Sequence, residues 1–290
     1  MTRHLLIGTE LDRDELLALL DRADALKAAP LSSRALEGRS VALIFEKPST
    51  RTRLSFEAGI FELGGQPVVL RSGDLQLSRG ESAGDTARIL SRHMAAIGVR
   101  TGPHARLEEL ASEASVPVFN MLTAGHHPCQ ALADLMTLRE AFGHLDGLKL
   151  AYVGDGNNVA RSLALVGAIA GVEVAVASPQ GYTLTGAPGA HVTTDPAAAV
   201  AGAHAVYADV WVSMGDEETA DERRAALAPY QLDDVLLDRA APGAIALHCL
   251  PAHSGEEITA ELLYGSRQRI WDQAENRRHV QKALLELLLR

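Results

Sequence analysis

Short runs of consecutive apolar residues alternate with helix-periodic segments along almost the whole chain. The runs are VALIFE (41–46), PVVL (67–70), AAIGV (95–99), VPVF (116–119), LKLAYVG (148–154), VEVAVAS (172–178), AVYADV (205–210) and AIALHC (244–249). Several are apolar at every position, which predicts parallel strands covered on both faces rather than strands with one wet face. Between them, 51–63, 82–92, 104–114, Pro128–Phe142 and Asn158–Ala170 carry helical patterns. Residues 13–27 predict a first amphipathic helix with Leu16, Leu17, Leu20 and Leu26 on one face, and 273–289 predict a last one. This alternation predicts α/β units with a parallel sheet. FGHLDG (142–147), where a helix ends in Gly and a new strand begins, predicts a domain boundary. The expected fold class is therefore α/β: two α/β domains, each with a mainly parallel sheet flanked by helices, and an active site in the cleft between them. The domains are expected at 1–143 and 144–272, with the last helix, about 273–290, packing back on the first.

Composition narrows the partners. At 290 residues the chain is twice the usual size of about 150 residues per domain. With 47% hydrophobic and 22% charged residues it can bury a core. Lys and Arg number 27 against 37 Asp and Glu, a net charge of −10, which argues against a general affinity for nucleic acid or an anionic membrane. A local basic pocket for a small anion remains allowed. The longest strongly apolar stretch, 163–172, is too short to span a bilayer, and the N-terminal residues lack the apolar region of a signal peptide. A cytoplasmic protein is expected. Two cysteines, Cys129 and Cys249, are too few for a disulfide framework or a Cys-based zinc site.

In open α/β sheets ligands bind beyond the carboxyl ends of the strands, so the segments just after strands are the places to search. Lys47-Pro48-Ser49-Thr50-Arg51-Thr52-Arg53 follows a strand and opens a helix. A capping Ser or Thr, the helix dipole and forked guanidinium donors together make an anion site. The same residues also describe a well-capped helix with solvated arginines. The glycine-rich loop of a nucleotide triphosphate site is absent. His126-His127-Pro128-Cys129-Gln130 lies at another strand–helix junction, where a His could donate to a polarised carbonyl and Gln130 could hold an amide. Read alone, it is equally a surface or core histidine. Gly154-Asp155-Gly156-Asn157-Asn158 invites a dinucleotide reading, but the third glycine position holds Val159 and the nearest later acid, Glu173, lies inside the next strand. Two asparagines at a helix start suit a small carboxylate instead. Asp209 with Ser213-Met214-Gly215, His248-Cys249-Leu250-Pro251 and Glu275-Asn276-Arg277 complete the set, and converging they would suit a zwitterionic amino acid. Gly80-Glu81-Ser82-Ala83-Gly84 matches a nucleophile elbow, but loop rather than strand precedes it, which argues against a serine hydrolase.

STRTR, HPCQ, DGNN, D-x-x-x-SMG, HCLP and AENR, in this order and covering essentially the whole chain, closely resemble the ornithine carbamoyltransferases. STRTR and HPxQ resemble the wider carbamoyltransferase family, while SMG and HCLP resemble its ornithine branch. The resemblance implies a carbamoyl phosphate-binding first domain, an ornithine-binding second domain, and transfer of a carbamoyl group to the side-chain amine of L-ornithine in arginine biosynthesis. Ser49, Thr50, Arg51 and Thr52 would hold the phosphate, with Gln76 a further contact. Arg100 would bridge its phosphate and carbonyl ends, His127 and Gln130 would meet the carbamoyl group, and Arg277 would add a last contact. Asn158, Asp209, Ser213 and Met214 match the amino-acid site, with Cys249 and the Leu250 backbone beside the attacking amine. Arg100, His127 and Cys249 are the expected catalytic residues. The family also implies a homotrimer with no metal or organic cofactor. Departures are the loop NMLTAGH (120–126), which lacks an acidic residue common before HPCQ, Arg161 where a neutral residue is usual, and a short 178–203 segment. Two other readings remain at this point: a carbamoyltransferase with a different amine acceptor, and a non-catalytic homologue.

Overall fold

The computed structural model describes residues 2–76, 80–213 and 215–290. It forms two compact units, Met1–Leu132 with Glu275–Arg290, and Ala133–Ala274. Each is built on one parallel sheet.

In the first unit the helix α1 (Arg13–Ala28) opens with a capping box between Asp12 and Glu15. The strands β1 (Ser40–Phe45), β2 (Gln66–Arg71), β3 (Ala96–Arg100) and β4 (Val118–Leu122) lie in the order β2-β1-β3-β4, all parallel. The helices α2 (Thr50–Glu62), α3 (Ala83–Leu90) and α4 (His104–Glu113) are the crossovers. Val41, Ala42, Leu43 and Ile44 of β1 are fully buried, as a central strand covered on both faces requires. Gly98 of β3 leaves room for an aromatic ring, since a Cβ there would lie 2.5 Å from Phe119, which stacks on Phe56 at 5.1 Å. The chain leaves this unit along α5 (Pro128–Phe142) and returns to it along α11 (Ile270–Leu288).

The second unit orders β5 (Lys149–Val153), β6 (Glu173–Ala177), β7 (His191–Thr193), β8 (Ala205–Ala208) and β9 (Ile245–His248) as β7-β6-β5-β8-β9, again all parallel. Its helices are α6 (Asn158–Ala170), α7 (Pro196–Val200), α8 (Ala220–Leu227), α9 (Asp234–Leu237) and α10 (Ala260–Leu263). Tyr152 and Tyr207 stack at 5.6 Å on adjacent central strands.

Strand order reverses between β1 and β3 in one sheet and between β5 and β8 in the other. Loops leaving such a pair diverge and open a crevice at the carboxyl ends. STRTR follows β1 and Arg100 ends β3 in the first unit, and DGNN follows β5 and Asp209 follows β8 in the second.

Two sequence expectations move. The strand expected at 116–119 sits at Val118–Leu122, because Pro117 has no N–H for the ladder and its carbonyl serves only as an acceptor for Ile97 N. The short β7, largely exposed, falls inside the 178–203 segment, where no strand is expected from the sequence. Ser82 is a helix cap, accepting from Asp85 N at 3.0 Å and donating to the Asp85 carboxylate at 2.8 Å. Among the described residues, no helix is long and apolar enough to cross a membrane.

Candidate functional site

One candidate site is the crevice of the first unit. Ser49 is extended and caps α2, its hydroxyl accepting from Thr52 N at 3.2 Å. Arg51 stands half-buried on the first turn, Thr50 is exposed, and the free N–H groups and dipole of that turn add positive potential. A cavity of about 670 Å³ opens beside this turn, lined by Glu46, Pro48, Ser49, Thr50 and Arg53. Gln76 is exposed, just after the short 3-10 turn Ser72–Asp74.

Arg277 reaches in from α11. One guanidinium nitrogen donates to the Gln130 side-chain oxygen and the other to Thr52 Oγ1 at 2.7 Å. Thr52, Gln130 and Arg277 are only 1%, 1% and 3% exposed. Arg100 and His127 are also buried, and both Arg277 and Arg100 act electrostatically on the His127 ring. Arg100 ends β3 where the register against β4 shifts, Val99 pairing with Asn120 but Arg100 with Leu122. Such an irregularity re-aims the side chain beside it. The His127 carbonyl accepts from Gln130 N and Ala131 N, so it starts α5. Burial, then Arg277, then Arg100 hold the His127 pKa well below the usual histidine range. The imidazole is therefore neutral, a hydrogen-bond donor through one nitrogen and not a cation. Residues distant in sequence thus form a buried, electropositive cluster.

The other is the crevice of the second unit. Asn157, not Asn158, caps α6, its oxygen accepting from Val159 N at 2.9 Å and Ala160 N at 3.3 Å. Its amide donates to Asp209 Oδ2 at 2.8 Å. The other Asp209 oxygen accepts from its neighbour Val210 N and from the Cys249 thiol, each at 2.8 Å. Asp209 is thus both a local turn cap and the meeting point of β5, β8 and β9 loops. Asn158 begins α6, and Ser213 lies half-buried in the segment after β8. Met214 lies outside the described residues.

After β9, Leu250 adopts φ 60°, a left-handed conformation that costs a non-glycine residue on the order of 1–2 kcal/mol. His248 supports it: Nδ1 accepts from Leu250 N at 2.8 Å, so Nε2 carries the proton donated to Glu257 at 3.1 Å. Burial pushes the Glu257 carboxyl up, but hydrogen bonds from His248 and His253 N outweigh it and hold it ionised. The two cysteines differ sharply. Burial pushes the Cys129 thiol up to about 12, whereas Cys249 is half-buried and bonded to Asp209.

Among the described residues, two groups hold potential metal donors within 4.8 Å of one another: Asp209, His248 and Cys249, and His253, Glu256 and Glu257. In the first, both His248 nitrogens are engaged by Leu250 and Glu257, so it acts as a hydrogen-bond network. Sequence reasoning missed Asn157 as the link to Asp209, and missed the His248–Glu257 pair; the acid nine residues after a strand-end histidine was the only signal.

Comparison with known proteins is consistent across sequence and structure. The family model described as "Aspartate/ornithine carbamoyltransferase, carbamoyl-P binding domain" matches residues 3–140. Its companion, "Aspartate/ornithine carbamoyltransferase, Asp/Orn binding domain", matches residues 146–288. The chain is 54% identical to the ornithine carbamoyltransferase of Acidothermus cellulolyticus, over 100% of this chain and 97% of the relative. It is 47% identical to that of Bacillus subtilis, over 99% and 94%. The solved ornithine carbamoyltransferase of Pyrococcus furiosus superposes with a TM-score of 0.93 at 44% identity, covering 98% of this chain and 96% of that one.

Proposed function

Because the chain belongs to the aspartate/ornithine carbamoyltransferase family, we propose that it transfers the carbamoyl group of carbamoyl phosphate to the side-chain amine of L-ornithine, giving L-citrulline and phosphate. The observation that carries this reading is the convergence of Thr52, Gln130 and Arg277 beside Arg100 and a neutral His127. Phosphate is held by the α2 terminus, with Ser49, Thr50, Arg51, Thr52 and Gln76, and it leaves readily once clamped by guanidinium groups.

The amine lone pair attacks the carbonyl carbon, a C–N bond forms, the C–O bond to phosphate breaks, and the amine loses a proton. In the tetrahedral intermediate charge collects on the former carbonyl oxygen. Arg100, the His127 N–H and the Thr52 hydroxyl are its donors. Thr52 accepts from Arg277, which leaves its own proton to give. The Gln130 side-chain oxygen accepts from the carbamoyl amide, and Arg277, a donor only, adds a last contact to an oxygen of carbamoyl phosphate. Asp209 takes the α-amino group of ornithine, Asn158 its α-carboxylate, and Ser213 and Met214 its chain. Cys249 and the Leu250 backbone lie beside the amine. A free alkyl amine has a pKa near about 10.4, so nearby cations and desolvation must favour its neutral form. The reading extends to a homotrimer that works in the cytoplasm in arginine biosynthesis without a metal or organic cofactor.

Carbamoyl transfer from carbamoyl phosphate is the test, read as the carbamoylated product of each acceptor in turn: ornithine, N-acetylornithine, lysine and aspartate. N-acetylornithine belongs in the panel because the solved acetylornithine transcarbamylase is 31% identical to this chain. Ornithine should be preferred, with a rate that rises through the weakly alkaline range. No product with ornithine, or a better rate with another amine, would reject the reading.

A further inference from the structure

One guanidinium in the second unit joins three loops that leave the carboxyl ends of different strands. Arg223 Nη1 donates to the Asp155 carboxylate at 2.9 Å, in the turn after β5. Its second terminal nitrogen pairs with Asp216 at 3.1 Å, in the segment after β8. Nε donates to Thr219 Oγ1 at 3.3 Å, and the guanidinium carbon lies 5.2 Å from the centre of the Tyr182 ring, in the loop after β6. Both edges and one face of the planar group are therefore occupied, which a lysine ammonium cannot reproduce.

The residues around it explain why such a joint is required. Arg223 sits on α8, a polar helix whose only buried residue is Leu227, so apolar packing does little to fix it. The Arg223 side chain is 17% exposed, against 45% for its neighbour Arg224. Asp155 is flanked by the glycines of the β5–α6 turn, and Gly156 N donates to Tyr182 O at 2.8 Å. Asn157 follows directly and bonds Asp209. Burial pushes the Asp155 carboxyl up, Arg223 pulls against it, and Asp209 and Asp216 push further upward. Without the guanidinium, three acids would face one another at the mouth of the crevice.

We infer that Arg223 is a positioning residue for the amino-acid substrate: it touches no substrate, but locks the turn carrying Asn157 and Asn158 to the segment that follows Asp209 and Ser213. This rests on the proposed use of that crevice by ornithine.

Initial rates with each substrate varied, for the wild type, Arg223→Gln and Arg223→Lys, test it together with amide hydrogen exchange. Loss of two charge-assisted contacts should raise the ornithine KM of Arg223→Gln by about tenfold or more, with the carbamoyl phosphate KM within about twofold of wild type. Arg223→Lys should recover part of the loss, and exchange should rise at 154–157, 180–186 and 215–219 in Arg223→Gln. An ornithine KM within about twofold of wild type, or equal losses for both substrates, would overturn the inference. A wild type that forms no citrulline would sink the functional reading alone, since exchange reports the joint independently. Unchanged exchange in those loops would overturn the joint itself.

Discussion

His127 is the residue whose environment makes the most definite statement. Its ring is buried, and burial, Arg277 and Arg100 together depress its pKa. In the unfolded chain the same ring titrates near about 6.5. Below that pH the unfolded state takes a proton that the folded state refuses, so stability falls as pH drops toward the folded pKa. The slope from this residue is at most about 1.4 kcal/mol per pH unit. His127→Asn should therefore lose less thermal stability than the wild type between pH 7 and pH 5. His279 is depressed in the same direction, chiefly by burial, so the variant removes only part of the slope. Parallel slopes would mean that His127 is accessible to protons when folded. Single residues were legible in sequence where a motif fixed them, as with Thr52, Gln130 and Arg277. Arg223 was not, because a charge on a polar helix reads as solvated until the partners of its guanidinium are known. Asn157 and Asn158 were legible only as a pair, since helix-cap geometry decides which one turns to Asp209.

At the level of elements, the close approach of the β5–α6 turn to the loop after β6 is enforced by a glycine. A Cβ on Gly156 would lie 2.3 Å from Leu184 N and 2.7 Å from its Cα, backbone atoms that cannot swing aside. Gly156→Ala should cost about 1–3 kcal/mol of stability, as an overpacked contact does, and should weaken ornithine use. Gly102→Ala, where a Cβ meets nothing within 4 Å, is the control, and calorimetric unfolding of both variants is the measurement. Equal midpoints would mean that the loop yields without cost. Most strands were legible because continuous apolar runs leave few alternatives for a doubly covered parallel sheet. β4 moved because Pro117 lacks a donor, a local effect that apolarity does not register. β7 escaped because three half-exposed residues carry no periodicity to read.

At the scale of the whole molecule, the order β2-β1-β3-β4 and the order β7-β6-β5-β8-β9 each contain one reversal, with STRTR and Arg100 at the first and DGNN and Asp209 at the second. The alternation of strands and helices made two such sheets predictable. Which residues of distant segments share a crevice is a property of strand order, and strand order is not written in local periodicity. The compact units divide inside α5 and α11, because turn signals mark where a helix stops and not where its packing partners change.

The proposed function divides the labour between the two crevices, an anion held by the first unit and an amino acid by the second. Initial-rate kinetics of Arg51→Ala and Asp209→Asn, each with both substrates varied, test it most directly. Asp209→Asn keeps the shape and removes only the charge, at a cost on the order of 3–5 kcal/mol for a buried pair broken on one side. Arg51→Ala should lose apparent affinity for carbamoyl phosphate and keep that for ornithine, while Asp209→Asn should do the reverse. Losses on the same substrate in both variants, or equal losses on both substrates in either, would contradict it.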